Sequence, residues 1–281
     1  MAGEMTGTPI SGRAAAVTGG ARGIGRAIAT ALARRGVRVA VGDIDGDAAG
    51  RAASEIGGGA VGLAVDVTDP ASFEAFLDAA RDAHGPLDVL VNNAGVMVVG
   101  PLADANTAAA ARVMDVNVDG VMNGMRLAIP RLRGRGGGQI VNVVSGAGWV
   151  APAALATYAA SKHAAKALSD AVRDEVRGDR IRVTAVYPML VQTELAVGTK
   201  PARGGRWISP DEVGEAVAAA VEKPRDEVFV PRWVAGVLRL QAALPPRGRD
   251  AMARAFGVDK LYTTVDPKTR AEYERRLGGG G

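Results

Sequence analysis

Cysteine is absent from all 281 residues. That excludes disulfide bridges, thiolate nucleophiles and cysteine-ligated zinc. It also fits a cytoplasmic protein, since disulfides belong to oxidising compartments. No run of about 18 apolar residues occurs, so no transmembrane helix is expected. Met1 to Gly12 lacks the charged-then-apolar layout of a secretory signal, and 1–11 reads as a short disordered lead-in. Histidine is scarce: His84 and His163 stand alone in the chain, and two isolated imidazoles make no metal site, so no metal is expected. No repeat recurs at a fixed period. Low-complexity sequence is confined to Gly134–Gly138, a surface turn, and Gly278–Gly281, a disordered tail. A dense basic patch is also missing. The net charge of +4 accumulates only beyond residue 199, too diffusely for a nucleic-acid binder.

What is present is a repeated alternation. Val-rich apolar runs recur at Ala14–Val17, Val37–Val41, Ala60–Val65, Leu87–Val91, Gln139–Val144 and Ile181–Val186. They are nearly continuous rather than alternating, which predicts strands buried on both faces. Between them lie Ala-rich stretches with helical spacing. Ile24–Arg35 stops at Gly36, and Asp69-Pro70 opens another helix with proline at its favoured first position. Ala108–Leu132 and Pro152–Arg177 are the longest helical candidates. The alternation predicts an α/β fold: one doubly wound parallel sheet, Rossmann-like, with helices on both faces. Domain boundaries follow: a body over 12–231, and a helical C-terminal extension over 232–277.

The first strand runs into Thr18-Gly19-Gly20-Ala21-Arg22-Gly23-Ile24-Gly25, and a helix follows at once. Glycines there let the backbone approach a pyrophosphate closely, and the helix N-terminus offers free N–H groups to it. The spacing is Gly-x-x-x-Gly-x-Gly. Asp43, 18 residues beyond Gly25, ends the second strand. An acid there can bond adenosine ribose hydroxyls and repel a 2′-phosphate, which favours NAD(H). Arg22, in the glycine-rich loop, pulls toward NADP(H). Asn92-Asn93-Ala94-Gly95 follows the fourth strand.

Tyr158 and Lys162 lie four apart in a helical segment and share a face. An ammonium beside a phenol lowers its pKa toward a value useful for proton transfer. Ser145 ends the fifth strand, where its hydroxyl can point into the cleft at the strands' carboxyl ends.

Taken in order, Thr18–Gly25, Asp66-Val67, Asn92–Gly95, Asn117, Ser145, Tyr158-x-x-x-Lys162 and Pro188 through Thr193 resemble the classical short-chain dehydrogenases/reductases. The resemblance covers about residues 12–230. It implies Tyr158 as general acid/base and Ser145 as holder of the substrate oxygen. Lys162 would lower the Tyr158 pKa and bond the nicotinamide ribose, and Asn117 would bind a water in the proton relay. It further implies a cofactor site made of Gly19, Arg22, Gly23, Ile24, Gly25, Asp43, Asp66, Val67, Asn93, Ala94, Gly95, Tyr158, Lys162, Pro188, Val191 and Thr193. Asp66 would contact the adenine, and Val191 and Thr193 the carboxamide. In one place the chain departs from the family: Pro188-Met189 stands where Pro-Gly is usual. Met tolerates positive φ poorly, so either the turn takes another shape or Met189 enters the pocket.

The expected activity is NAD(P)-dependent oxidoreduction of a mainly apolar secondary alcohol and its ketone. A substrate pocket is expected from Met97, Trp149, Val150, Met189 and Leu195, with Val96, Val98 and Leu190 nearby. The alternatives are a catalytically silent dinucleotide sensor on the same fold, and an epimerase or dehydratase. The two long Ala-rich helices are similar to those that pair between subunits in the family, so a homodimer or homotetramer is expected. In the extension, Trp233, Val237, Leu240 and Leu244 form one apolar stripe of a helix over Arg232–Leu244, ended by Pro245-Pro246. This helix is expected to close over the substrate mouth or to contact an apolar surface: the stripe either packs on the enzyme body or a second subunit, or, given five arginines against Asp250 between Arg232 and Arg254, lies on an anionic membrane.

Overall fold

The structure, a computed structural model, describes residues 10–199, 205–258, 261–263, 265, 270 and 273. Seven strands form one parallel sheet: β1 (Ala14–Thr18), β2 (Arg38–Asp43), β3 (Val61–Ala64), β4 (Val89–Asn92), β5 (Gly138–Val143), β6 (Ile181–Pro188) and β7 (Glu227–Val230). Their order is β3-β2-β1-β4-β5-β6-β7. The order reverses between β1 and β4, and a parallel sheet opens its crevice at such a switch point.

Nine helices with α geometry are described: α1 (Gly23–Ala33), α2 (Gly46–Ile56), α3 (Pro70–His84), α4 (Thr107–Met114), α5 (Gly120–Gly134), α6 (Ala156–Glu175), α7 (Pro210–Glu222), α8 (Val234–Ala243) and α9 (Pro246–Phe256). They cover both faces of the sheet. Ile28 and Leu32 of α1 and Val213 and Val217 of α7 pack on one face, in a cluster with Val17, Val41 and Val141. Phe73, Phe76 and Leu77 of α3 and Met125 and Leu132 of α5 pack on the other, with Leu90 and Ile140. No helix among the described residues is long and apolar enough to cross a membrane.

Several expectations need correction. The lead-in is shorter than 1–11: Ile10 is 2% exposed within the α1 cluster, and Gly12 donates its N–H to Gly36 at 2.8 Å. Residues 1–9 and 278–281 lie outside the described residues. β3 is not buried on both faces, because it is the sheet's edge and is only half covered. β7 carried no signal, since four residues following Arg225-Asp226 are too few to show a period. The span Ala108–Leu132 is not one α-helix. A π-turn over Asp115–Asp119 separates α4 from α5, as an inserted residue does in a helix. Pro152–Arg177 shortens to Ala156–Glu175.

The extension also differs from expectation. α8 buries Val234 and Leu238, 4% and 3% exposed, against Tyr187 and Phe229. Of the expected stripe, Trp233 and Leu240 are 63% and 58% exposed, while Trp233 and Val237 border the cavity at the carboxyl ends of the strands, where a helix over the mouth was expected. Pro245-Pro246 does not simply end the helix. Pro246 takes the first position of α9, the one helical position that needs no N–H.

Candidate active site

A cavity of about 1050 Å³ opens at the carboxyl ends of the strands. Its first part is the glycine turn after β1. A Cβ on Gly25 would stand 2.1 Å from the Gly19 carbonyl, and Gly19 itself has φ +62°; both positions therefore require glycine. Asn93 holds this turn by donating Nδ2 to the carbonyls of Thr18 at 2.9 Å and Gly19 at 3.0 Å. Thr18, whose role the motifs did not assign, accepts the N–H of Asn93 at 3.1 Å and of Ala94 at 3.2 Å through Oγ1. One hydroxyl thus ties the β1 and β4 loops together.

The N-terminus of α1 has no side-chain cap and no acid in its first turn. α2, α3, α4 and α7 are all capped by a side chain, from Asp45, Asp69, Asn106 and Ser209. Free N–H groups beside a glycine cradle fit a diphosphate.

Asp43 is 8% exposed at the end of β2. Its carboxylate accepts the Ala21 N–H at 3.1 Å and the Asp45 N–H at 3.3 Å. Arg22 stands between Glu194 at 3.5 Å and Asp45 at 4.0 Å. Asp66 accepts from the N–H and Oγ1 of Thr68 at 2.9 and 2.7 Å. Burial pushes its pKa up, but the Thr68 bonds and nearby Arg112 outweigh that and hold it low. Gly23, Ile24, Val67, Ala94, Gly95, Pro188, Val191 and Thr193 line the same cavity.

The proton-handling groups meet deeper in. Ser145 follows β5, while Tyr158 and Lys162 stand one turn apart on α6. All three face the cavity. Lys162 donates Nζ to the Val143 carbonyl at 3.2 Å and lies 5.7 Å from the Tyr158 ring centroid. Burial pushes the Tyr158 phenol well above its ordinary value. A hydrogen bond from Ser145 opposes this, and Tyr262 and Tyr273 add to the rise. Burial alone pushes Lys162 down to about 8. In the protein by itself, desolvation therefore outweighs the Tyr–Lys pairing.

Asn117 sits in the π-turn and is fully buried behind the cavity wall. Its Oδ1 accepts the Val96 N–H at 2.9 Å, and its Nδ2 donates to the Val96 carbonyl and to Ser161 Oγ, each at 2.9 Å. The side chain holds the β4 loop against α6. A Cβ on Gly95 would lie 3.2 Å from Asn117 Oδ1 and 3.4 Å from Lys162 Nζ, so this loop passes directly over the lysine.

Of the expected substrate residues, Met97, Val150, Met189 and Leu195 line the cavity, as do Val96 and Leu190. Trp149 does not. Its ring packs edge-on against Tyr187 at 5.8 Å and against Phe229 at 5.8 Å, with the Lys166 ammonium 4.8 Å from it. Aromatic packing under α8 claims it, which is the correction to that assignment. Val98 is not on the wall either. Met189 enters the pocket without a positive φ. It donates its N–H to Val230 at 2.9 Å, and its sulfur lies where a Cβ on Gly146 would be, 2.4 Å away. Sequence motifs missed Tyr262 and Tyr273, which also line the cavity. They belong to the extension and carry no periodic signal.

Residues 13–204 match the sequence profile of the family described as short chain dehydrogenase. The 3-alpha-(or 20-beta)-hydroxysteroid dehydrogenase of Mycobacterium tuberculosis is 34% identical over 211 residues, covering 75% of this chain and 78% of that protein. Ketoacyl reductase HetN of Nostoc is 33% identical over 211 residues, covering 72% and 73%. Among solved structures, a short chain dehydrogenase/reductase from Burkholderia phymatum in complex with NAD superposes with a TM-score of 0.76. It is 27% identical, and the match covers 83% of this chain and 94% of that one.

Proposed function

This chain belongs to the short-chain dehydrogenase family, an NAD(P)-dependent oxidoreductase acting on CH–OH groups, and on that premise we propose that it interconverts a mainly apolar secondary alcohol and its ketone, with NAD(H) preferred. The observation that carries the reading is the position of Tyr158. Its hydroxyl, bonded to Ser145, sits where the glycine-cradled half of the cavity meets an apolar half.

The glycine turn and the open N-terminus of α1 fit the cofactor's diphosphate, and Asp43 fits its adenosine ribose. When bound, the nicotinamide supplies or accepts a hydride. Tyr158 gives a proton to the substrate oxygen or takes one from it, and Ser145 orients that oxygen. The raised pKa keeps the phenol protonated at neutral pH, ready to act as the acid in ketone reduction. For the reverse direction, the Lys162 ammonium favours the phenolate. Asn117 holds the β4 loop over Lys162.

The NAD(H) preference rests on charge. A 2′-phosphate would meet the Asp43 carboxylate, while Arg22 is already turned to Asp45 and Glu194. The apolar preference rests on Met97, Val150, Met189, Leu195, Val237 and Leu238 along the wall. Pockets of this kind bind by apolar burial with few polar anchors. The hydroxysteroid named for the mycobacterial relative is a compound of this class. A silent sensor would need the glycines but not Ser145, Tyr158 and Lys162.

Steady-state kinetics test this with cyclohexanol, 2-decanol and a 3α-hydroxysteroid, each with NAD+ and NADP+. Turnover should appear with the apolar alcohols, with higher kcat/KM for NAD+. Tyr158→Phe should lower kcat about 10²–10⁴-fold. Turnover confined to polyols, an NADP+ preference, or near-wild-type rates in Tyr158→Phe would each overturn the part it addresses.

A further inference from the structure

Beyond α9 the chain returns over the cleft. Tyr262 packs into the apolar cluster around Tyr158, beside Met97, Leu155 and Leu195. Arg270 is only 1% exposed. Its Nη1 donates to the carbonyls of Leu195 at 2.9 Å and Val197 at 3.0 Å, and its Nη2 to the carbonyl of Met97 at 3.1 Å. The guanidinium stands 5.1 Å from the Tyr273 ring, and the Tyr273 hydroxyl accepts the Met97 N–H at 3.1 Å.

These contacts join two loops that the sheet keeps apart. Met97 follows β4 and Leu195–Val197 follows β6, with β5 between those strands. Both loops wall the cavity beside Tyr158. Three carbonyls on two loops converge on one planar group. A guanidinium presents five donors in a fixed fork and can serve them together, whereas an ammonium is a compact point charge. Buried carbonyls left without donors are costly, so the loops have reason to stay where Arg270 holds them.

We propose that Arg270 is a positioning residue for the substrate. It clamps the Met97 and Leu195–Val197 walls at the distance that fits an apolar alcohol over Tyr158, while Tyr262 and Tyr273 complete the chamber. The assignment rests on the proposed function for what the chamber holds, but the clamp itself does not. Tyr158, Ser145 and Lys162 are placed by β5 and α6 and do not depend on it. Loss of the clamp should therefore weaken substrate binding and leave the chemical step and cofactor binding largely intact.

The test compares wild type with Arg270→Met and Arg270→Lys. Amide hydrogen exchange of the NADH complex is read first. Arg270→Met should speed exchange in segments 95–99 and 194–198, because loops without their clamp open locally. With NAD+ and a 3α-hydroxysteroid or cyclohexanol, KM should rise at least about fivefold, as lost charged hydrogen bonds imply. kcat should stay within about threefold, since the loss falls on binding rather than on the chemical step. NADH affinity, read by fluorescence, should stay within about twofold, because the cofactor half of the cavity is untouched. Arg270→Lys should not restore KM. Unchanged exchange and KM in Arg270→Met would overturn the proposal. So would rescue by lysine, or losses of kcat and NADH affinity as large as the change in KM. If Arg270→Met does not fold, Tyr273→Phe carries the test, because it removes the hydroxyl that accepts from Met97. Faster exchange around Met97 is then expected, and unchanged exchange would overturn the clamp. If wild type turns over neither alcohol, the functional reading has failed, and the exchange comparison still decides the clamp.

Discussion

Lys162 carries its charge where charge is costly. It is 4% exposed, its hydrogen bond goes to a neutral carbonyl, and burial lowers its pKa to about 8 from 10.5. Between those two values the unfolded chain binds a proton that the native protein does not. Stability conferred by this group therefore rises with pH across the window, and its full penalty is present below about pH 8. Lys162→Met removes the penalty. Without cofactor at pH 7 the variant should be more stable than wild type by up to about 3 kcal/mol, and the gap should shrink as pH nears 10. It should also be inactive. Thermal melts across pH check this; a variant less stable than wild type at pH 7 would contradict it. Trading stability for an active group is common at catalytic sites. Met189 shows a second residue-scale bargain. Glycine is missing after Pro188, yet its freedom was not needed, because Gly146 across the cleft leaves room for the methionine sulfur.

Elements place the residues of the site, and one of them does so by irregularity. The π-turn over Asp115–Asp119 turns Asn117 inward between the β4 loop and α6. α8 packs through Val234 and Leu238, and leaves Trp233 and Leu240 outside. Leu238→Ala should cost about 2–3 kcal/mol, as cavity-forming changes in packed sites do. Trp233→Ser should stay within about 0.5 kcal/mol. Denaturant unfolding distinguishes the two, and equal effects would restore the stripe read from periodicity. That stripe was only partly right, bordering the cavity through Trp233 and Val237 but not supplying the packed face, because Val234 and Leu238 are themselves four apart. Two overlapping periods were present, and only the partner surface of Tyr187 and Phe229 selected one.

At the scale of the molecule, the switch between β1 and β4 opens the cavity at the carboxyl ends of the strands, where the loops that carry the motifs meet. Five strands were legible because central parallel strands must be apolar throughout, and the edge strand β3 because its run Ala60–Val65 is apolar as well, while β7 at the other edge is too short to show a pattern. α4 and α5 leave Met114 and Met122, 37% and 43% exposed, on the outer surface. Apolar side chains exposed on the outer faces of helices favour association with a second copy. Light scattering at micromolar concentration should give at least twice the chain mass, and a monomer mass would exclude the dimer.

Sequence by itself determined the order of strands and helices, the glycine turn and the Ser145, Tyr158 and Lys162 set. The first two rest on local rules, a period and a φ that only glycine tolerates; the three site residues rest on the resemblance to a family, since a Tyr–Lys pair four apart is by itself an ordinary solvated helix face. Tertiary structure decided what those rules leave free. It turned Trp149 away from the pocket, gave Asn117 its partners, and brought Tyr262, Arg270 and Tyr273 back from the extension to loops far earlier in the chain. Contacts spanning 73 to 176 residues have no signature in the chain, because nothing near Arg270 in sequence shows which carbonyls it will meet.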